Sequence, residues 1–97
     1  MLKVAVEFFS LIEEITNIRK KEFILEKEKP NVMDLLYVLF EEFGSVFENV
    51  VFDEGSNKLR PGILLAVNGK NSYLLQKTGT LLNEGDRIVI GYAFRGG

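Results

Sequence analysis

A long amphipathic helix lying between strands is the feature that most constrains the fold of this chain. Asn31 is a good N-cap, and Asp34 falls in the first turn, where the helix dipole favours a carboxylate. Apolar residues then recur every three or four positions, and Gly44 is a typical helix stop. The repeating residues are Val32, Leu35, Leu36, Leu39, Phe40 and Phe43. This pattern predicts a helix with one face in the core.

Strand patterns precede and follow the helix. Residues 2–9 alternate, with Val4, Val6 and Phe8 predicted to point inward. Phe23 and Leu25 lie on one face of a second strand at 21–27, and an apolar run predicts a third at 63–67. Asn68-Gly69 predicts a tight turn because both residues tolerate positive φ. A short edge strand is predicted at 72–75, and a final strand follows Gly85-Asp86.

Other local signals are weaker. Ser10 precedes Glu13 by three residues, a capping-box pattern that predicts a short helical turn through Ile15. Residues 45–62 are the least regular part, with an exposed loop predicted at 53–57. The loop at 79–85 is predicted to be anchored by its two leucines, Leu81 and Leu82.

The order of these elements predicts an α+β fold. One amphipathic helix packs on one apolar face of a mixed sheet of four to five strands, which makes a two-layer domain. Ninety-seven residues suffice for one such core. The opposite face of the sheet is expected to be solvated or to contact a partner.

Composition argues against several functional classes. The chain contains no cysteine and no histidine, so thiol nucleophiles, imidazole bases and metal sites built on either residue are excluded. A net charge of −2 does not indicate binding to nucleic acid or to an anionic membrane. The pairs Glu13-Glu14 and Glu41-Glu42 are interpreted as solvated helix surface. Neither a signal peptide nor a membrane span is predicted, and a cytoplasmic location is expected.

The sequence ends in Gly96-Gly97, directly after an apolar strand. Without Cβ atoms, these residues make a slim stem for the terminal carboxylate, which suits a chain whose own carboxyl group reacts. A frayed tail of small residues is the alternative interpretation. The predicted division is a folded domain at 1–93 and a flexible tail at 94–97.

Motifs distributed over the whole chain resemble the MoaD/ThiS family of sulfur carriers and the ubiquitin-related and small archaeal modifiers. They are Val6-Glu7-Phe8-Phe9, Leu59-Arg60-Pro61-Gly62-Ile63-Leu64, Ala66-Val67-Asn68-Gly69, Leu82-Asn83-Glu84-Gly85-Asp86-Arg87-Ile88 and Gly96-Gly97. The resemblance implies the β-grasp, or ubiquitin-like, fold. It also implies a carrier or modifier that is acted upon, and not an enzyme.

The mechanism implied by the resemblance takes place at Gly97. An E1-like activating enzyme would adenylate its carboxyl group and then convert it to a thiocarboxylate. ATP and Mg²⁺ would be held by that enzyme, and this chain would bind no cofactor or metal. The sulfur would pass to a molybdopterin synthase large subunit or a tRNA thiolase, and conjugation to lysines of target proteins is the other outcome.

The resemblance also assigns roles to residues near the tail. Gly96 and Arg95 would pass through the enzyme's channel. Phe94 and Tyr92 would contact partners, as would Leu64 or Phe9 if they face outward. Phe94 folded back onto the core edge is equally compatible with the sequence.

Two departures bear on the pathway. Segment 44–62 is longer than in compact molybdopterin synthase small subunits, and Tyr92-Ala93 stand where those proteins often carry prolines. Both favour tRNA thiolation or protein modification over a molybdopterin synthase small subunit. The alternative from another class is a β-grasp binding module that uses its sheet face and is never activated.

Overall fold

The computed structural model describes residues 1–53, 55, 58–71 and 77–92. In chain order its elements are β1 (Leu2–Phe9), α1 (Leu11–Thr16), β2 (Lys20–Leu25), α2 (Val32–Val51), β3 (Phe52–Asp53), β4 (Lys58–Leu59), β5 (Ile63–Val67), β6 (Lys70–Asn71), a 3-10 turn (Lys77–Gly79) and β7 (Arg87–Tyr92). The predicted edge strand at 72–75 lies outside the described residues. The predicted loop at 53–57 is described in part: Asp53 pairs with Lys58 in a β3–β4 hairpin.

Five strands form a mixed sheet in the order β2–β1–β7–β5–β6. β7 runs parallel to β1 and antiparallel to β5, so the strand nearest the C-terminus lies in the centre. β5 and β6 are joined by Asn68 and Gly69, whose φ values of 51° and 87° confirm the predicted turn. The sheet and its main helix form the predicted α+β arrangement.

The core lies between the sheet and α2. Val4, Val6 and Phe8 are at most 1% exposed, which confirms the predicted alternation of β1. Phe23 and Leu25 are buried as predicted, although β2 begins and ends slightly earlier than 21–27. Among the described residues, no helix combines the length and apolar character needed to cross a membrane.

The start of α2 matches the sequence prediction. Asn31 Oδ1 accepts a hydrogen bond from the Asp34 N–H at 2.9 Å, and Asp34 Oδ2 accepts one from the Asn31 N–H at 2.8 Å. This reciprocal pair is a capping box, which satisfies two backbone donors that a helix otherwise leaves free.

Gly44 interrupts the helix as predicted, but a second helical stretch, which the sequence did not predict, follows it and continues to Val51. Gly44 itself is non-helical, with φ 86° and ψ −170°, and makes a kink within α2. Beyond the kink Phe47 and Val51 are fully buried, and the Phe47 ring lies edge-on to Phe8 with centroids 6.3 Å apart. Burial of these side chains stabilises a helical segment where the sequence predicts irregular structure.

Two further local predictions are corrected. α1 forms, but Ser10 has φ 59° and its side chain makes no cap, so the capping-box interpretation is wrong. In the loop before β7, Leu82 is buried at 3% exposure whereas Leu81 is 58% exposed. Neighbouring side chains of an extended segment point to opposite sides, so one leucine anchors this loop and the other does not.

A hydrogen-bond network joins two loops at the start of β7. The buried carboxylate of Asp86 accepts from Asn68 Nδ2 and from the Asn83 N–H, both at 2.8 Å. Asn68 Oδ1 in turn accepts from the Arg87 N–H at 2.9 Å. The β5–β6 turn and the loop before β7 are thereby held together, which fixes where the central strand begins.

Asp86→Asn tests this network. The amide retains one acceptor and presents a donor to a neighbouring donor, so we expect the free energy of unfolding to fall by about 1–2 kcal/mol. Urea denaturation measures the change, with Glu28→Gln as the control because Glu28 is exposed and makes no ion pair with another described residue. Equal unfolding midpoints for the two variants would contradict the role given to Asp86.

Candidate functional site

The end of β7 is the point from which the predicted tail departs. Tyr92 pairs with Ile63, and Gly91 pairs with Leu64 of β5 and with Phe9 of β1. The backbone is therefore held by strands on both sides up to Gly91, and by β5 alone at Tyr92. The predicted sites at Phe94, Arg95, Gly96 and Gly97 lie outside the described residues and stay predictions.

The close approach of the Phe9 ring requires a glycine at position 91, which the sequence analysis did not identify. The Phe9 ring lies over it, and a Cβ added at Gly91 would be 2.1 Å from the ring atoms Cε1 and Cζ. No side chain fits there without displacing the ring. The available signal was a glycine inside a β-branched run, which often marks a close approach within a sheet.

Around Gly91 the outer face of the sheet carries a cluster of apolar side chains, here termed the outer patch. It consists of Ala5, Phe9, Leu64, Ala66 and Val89, which the register of β1, β7 and β5 brings onto one face. Two charged residues share this face: Glu7 pairs with Val89, and Arg87 pairs with Ala5. Leu64 is 37% exposed and the other members of the patch are partly exposed. Leu64 and Phe9 thus face outward. Val89, which the sequence analysis did not identify, lies on β7, between β1 with Phe9 and β5 with Leu64.

Tyr92 lies on the opposite face of the sheet. It is partly buried against the core and lines a cleft of about 340 Å³ with Leu11, Val50 and Arg60. Its ring also packs on Gly62, where an added Cβ would be 3.2 Å from Cζ. Leu64 and Tyr92 were both predicted to contact partners, but the structure places them on different surfaces.

Within the described ranges, no three acidic, cysteine or histidine side chains are grouped so as to hold a metal ion. The glutamate pairs interpreted as helix surface take part in surface ion pairs: Glu13 lies 3.3 Å from Arg19 Nε, and Glu42 pairs with Lys21.

The comparisons with known proteins agree with this architecture. The family model for Urm1 (Ubiquitin related modifier) matches residues 3–97. No match was found among curated proteins.

Several solved structures share the fold. The small archaeal modifier protein 1 of Methanosarcina acetivorans is 29% identical, with a TM-score of 0.80 and coverage of 100% of this chain and 98% of that one. Urm1 of Trypanosoma brucei is 22% identical, with a TM-score of 0.77 and coverage of 98% and 95%. A chain of the BexX/CysO complex of Amycolatopsis orientalis is 19% identical, with a TM-score of 0.73 and coverage of 97% and 99%. These neighbours confirm the ubiquitin-like β-grasp fold.

Gly91→Ala tests the packing beneath the outer patch. Because the added Cβ would overlap the Phe9 ring, we expect a loss of about 1–3 kcal/mol in the free energy of unfolding. Gly55→Ala is the matched control, since its added Cβ meets only Asp53 Oδ1 at 3.5 Å.

A double-mutant cycle with Phe9→Ala identifies the cause. Removing the ring should make Gly91→Ala nearly neutral, and an unchanged penalty in the Phe9→Ala background would show that the ring is not responsible.

Proposed function

We propose that this chain, which belongs to the Urm1 (ubiquitin-related modifier) family, is a carrier activated at the carboxyl group of Gly97. The observation that carries the proposal is the position of β7, which runs through the centre of the sheet past the outer patch and leads directly to the tail. The folded domain would serve as the recognition element for an E1-like activating enzyme, which would supply ATP and Mg²⁺.

The reach of the segment after Tyr92 supports separate roles for the folded domain and the tail. Five residues follow Tyr92, and a fully extended chain of that length spans at most ~17 Å. Phe9 and Leu64 pair with Gly91, one residue before Tyr92. An enzyme surface that covers the outer patch would therefore have its catalytic cleft within reach of the Gly97 carboxylate. Since Gly96 and Gly97 lack side chains, the stem could enter a cleft too narrow for other residues.

The chemistry proposed at Gly97 follows from the family resemblance. A carboxylate oxygen would attack the α-phosphorus of ATP, release pyrophosphate and form an acyl-adenylate. A persulfide on the activating system would attack the acyl carbon and displace AMP, giving an acyl disulfide. A thiol of the same system would then cleave the sulfur–sulfur bond, becoming a disulfide itself and leaving a thiocarboxylate on Gly97.

For the acceptor we propose tRNA thiolation or attachment to lysines of other proteins, with the molybdopterin synthase large subunit as the alternative. The described residues of the longer segment 44–62 contain the second part of α2 and the paired strands β3 and β4. Val50 and Arg60 of this segment lie beside Tyr92. An acceptor protein that contacts them could distinguish this domain from a more compact carrier.

Activation is tested by incubating the protein with its cognate activating enzyme, ATP, Mg²⁺ and a persulfide donor, followed by intact-mass analysis. We expect an acyl-adenylate and then exchange of one oxygen for sulfur, with fragmentation placing both changes on Gly97. Deletion of Gly96-Gly97 should abolish both products without altering thermal stability. A protein that stays unmodified while a known relative reacts in parallel would overturn the proposal.

The same deletion separates the proposal from the alternative of a binding module that is never activated. That alternative predicts that the shortened protein keeps its partners and its cellular function. A carrier loses function on this deletion while its domain remains folded.

Leu64→Arg tests the outer patch as the docking surface. A buried apolar contact replaced by a charge should raise KM for adenylation about tenfold or more, with a smaller effect on kcat, because the tail chemistry is untouched. Leu81→Arg is the control, since Leu81 is also an exposed leucine but lies away from the patch. Equal KM values for the two variants would exclude the outer patch as the docking surface.

A further inference from the structure

A cleft at the end of β7 lies on the face of the sheet that the proposed docking on the outer patch does not use. This cleft, here termed the Tyr92 cleft, measures about 340 Å³ and is lined by Leu11, Val50, Arg60 and Tyr92. The first residue of α1, the end of α2 and the segment before β5 therefore meet where the last described strand ends. Leu11 is 40% exposed, so one apolar wall of the cleft is open to solvent within the described part of the chain.

Arg60 is fixed beside the cleft by contacts within the domain. Its backbone N–H donates to the Val51 carbonyl at 2.9 Å, and its side-chain Nε donates to the Asn49 carbonyl. Both contacts hold the segment before β5 against the end of α2. The guanidinium is exposed and makes no ion pair with another described residue. Apolar walls beside one cation suit an aromatic ring, because its face attracts a cation and its edges pack on aliphatic side chains.

The sequence after Tyr92 supplies such a ring within reach of the cleft. Phe94 is two positions beyond Tyr92, a span of at most ~7 Å in an extended chain. Along β7, Ile90 and Tyr92 lie on the core side of the sheet and Val89 lies on the outer face. The same alternation, continued for two residues, leads to the cleft side at position 94. Arg95 would come on the other side, so its charge would not oppose the guanidinium beside the cleft.

We propose that Phe94 binds in the Tyr92 cleft of its own domain and holds the start of the tail there in the free protein. The ring packs against Leu11 and Val50, and the Arg60 guanidinium lies against its face. Because only one residue separates Phe94 from Tyr92, the ring has a local concentration that a separate ligand does not reach. Of the two positions that the sequence leaves open for Phe94, the geometry favours the one against the domain.

For activation, the bound ring is a restraint, and this consequence rests on the proposed function. Three residues follow Phe94 and span at most ~10 Å, whereas the five residues after Tyr92 span up to ~17 Å. The cleft also lies on the face opposite the outer patch. An enzyme that docks on the outer patch would therefore have to release Phe94 before the carboxyl group of Gly97 enters its catalytic cleft.

Nuclear magnetic resonance of the free, full-length protein tests the contact, with neither enzyme nor ATP present. We expect nuclear Overhauser contacts between the Phe94 ring protons and the methyl groups of Leu11 and Val50. Phe94→Ala should shift these methyl resonances, because it removes the ring current, and should leave those of Leu64 in the outer patch unchanged. Absence of the contacts, or shifts confined to the outer patch, would overturn the proposal.

Deletion of Gly96-Gly97 separates the ring from the terminal carboxylate as the occupant. The deletion moves the carboxylate to Arg95 and retains the ring, so the contacts of Phe94 with Leu11 and Val50 should persist. Their loss in the shortened protein would show that the carboxylate, and not the ring, holds the tail in the cleft.

A pair of leucine variants tests the wall of the cleft. In the original protein the backbone order parameter of Phe94 should be about 0.8, and Leu11→Ser should lower it below about 0.6, the value of a flexible segment. Leu81→Ser is the matched control, since Leu81 is an exposed leucine outside the cleft lining, and it should leave the order parameter unchanged. Equal order parameters in the two variants would show that Leu11 does not hold the ring.

Adenylation kinetics with the same variants tests the restraint. Leu11→Ser should lower KM about threefold to tenfold and leave kcat unchanged, because the enzyme then binds a tail that needs no release. Leu81→Ser should behave like the original protein. An unchanged KM for Leu11→Ser would exclude release of Phe94 as a step in activation. The resonance measurements involve no enzyme, so they decide whether Phe94 occupies the cleft even if the chain is never adenylated.

Discussion

Insertion of β7 between β1 and β5 is the interaction on which the rest of the structure depends. The parallel ladder with β1 and the antiparallel ladder with β5 join the two ends of the chain and bury Ile88 and Ile90 against α2. The Asp86–Asn68 network sets the start of this strand, and the Phe9–Gly91 contact shapes its end. The outer patch exists only because the ladders align residues that are far apart in sequence.

The sheet order separates two surfaces with different chemistry. The outer patch lies across β1, β7 and β5, has Glu7 among its apolar side chains, and adjoins the end of β7. The cleft lined by Leu11, Val50, Arg60 and Tyr92 lies on the opposite face of the sheet. A protein bound at one of these surfaces would leave the other uncovered.

Local sequence signals predicted the elements whose stability is local. Asn31 and Asp34 satisfy each other within one turn, and the alternation of Val4, Val6 and Phe8 follows from the geometry of a single strand. The fold class could be anticipated in this way, whereas the outward orientation of Leu64 and Phe9 was left open by the sequence and is given by the strand register. The continuation of α2 past Gly44 could not, because it depends on Phe47 packing against Phe8 of a distant strand. The need for glycine at position 91 could not be predicted either, because it depends on the register that places the Phe9 ring over this residue.

The parallel pairing of β1 with β7 also determines when this protein can fold during synthesis. Val6 pairs with Ile88, which is synthesised much later, so the five-stranded sheet cannot be completed until β7 has been added. Until β7 has been added, the apolar faces of β1 and α2 remain exposed and accessible to chaperones. A product that lacks β7 would keep the β1–β2 and β5–β6 pairs but would lose the strand that joins them. A complete domain therefore requires that synthesis has passed through β7, the strand that precedes Gly96-Gly97 in the sequence.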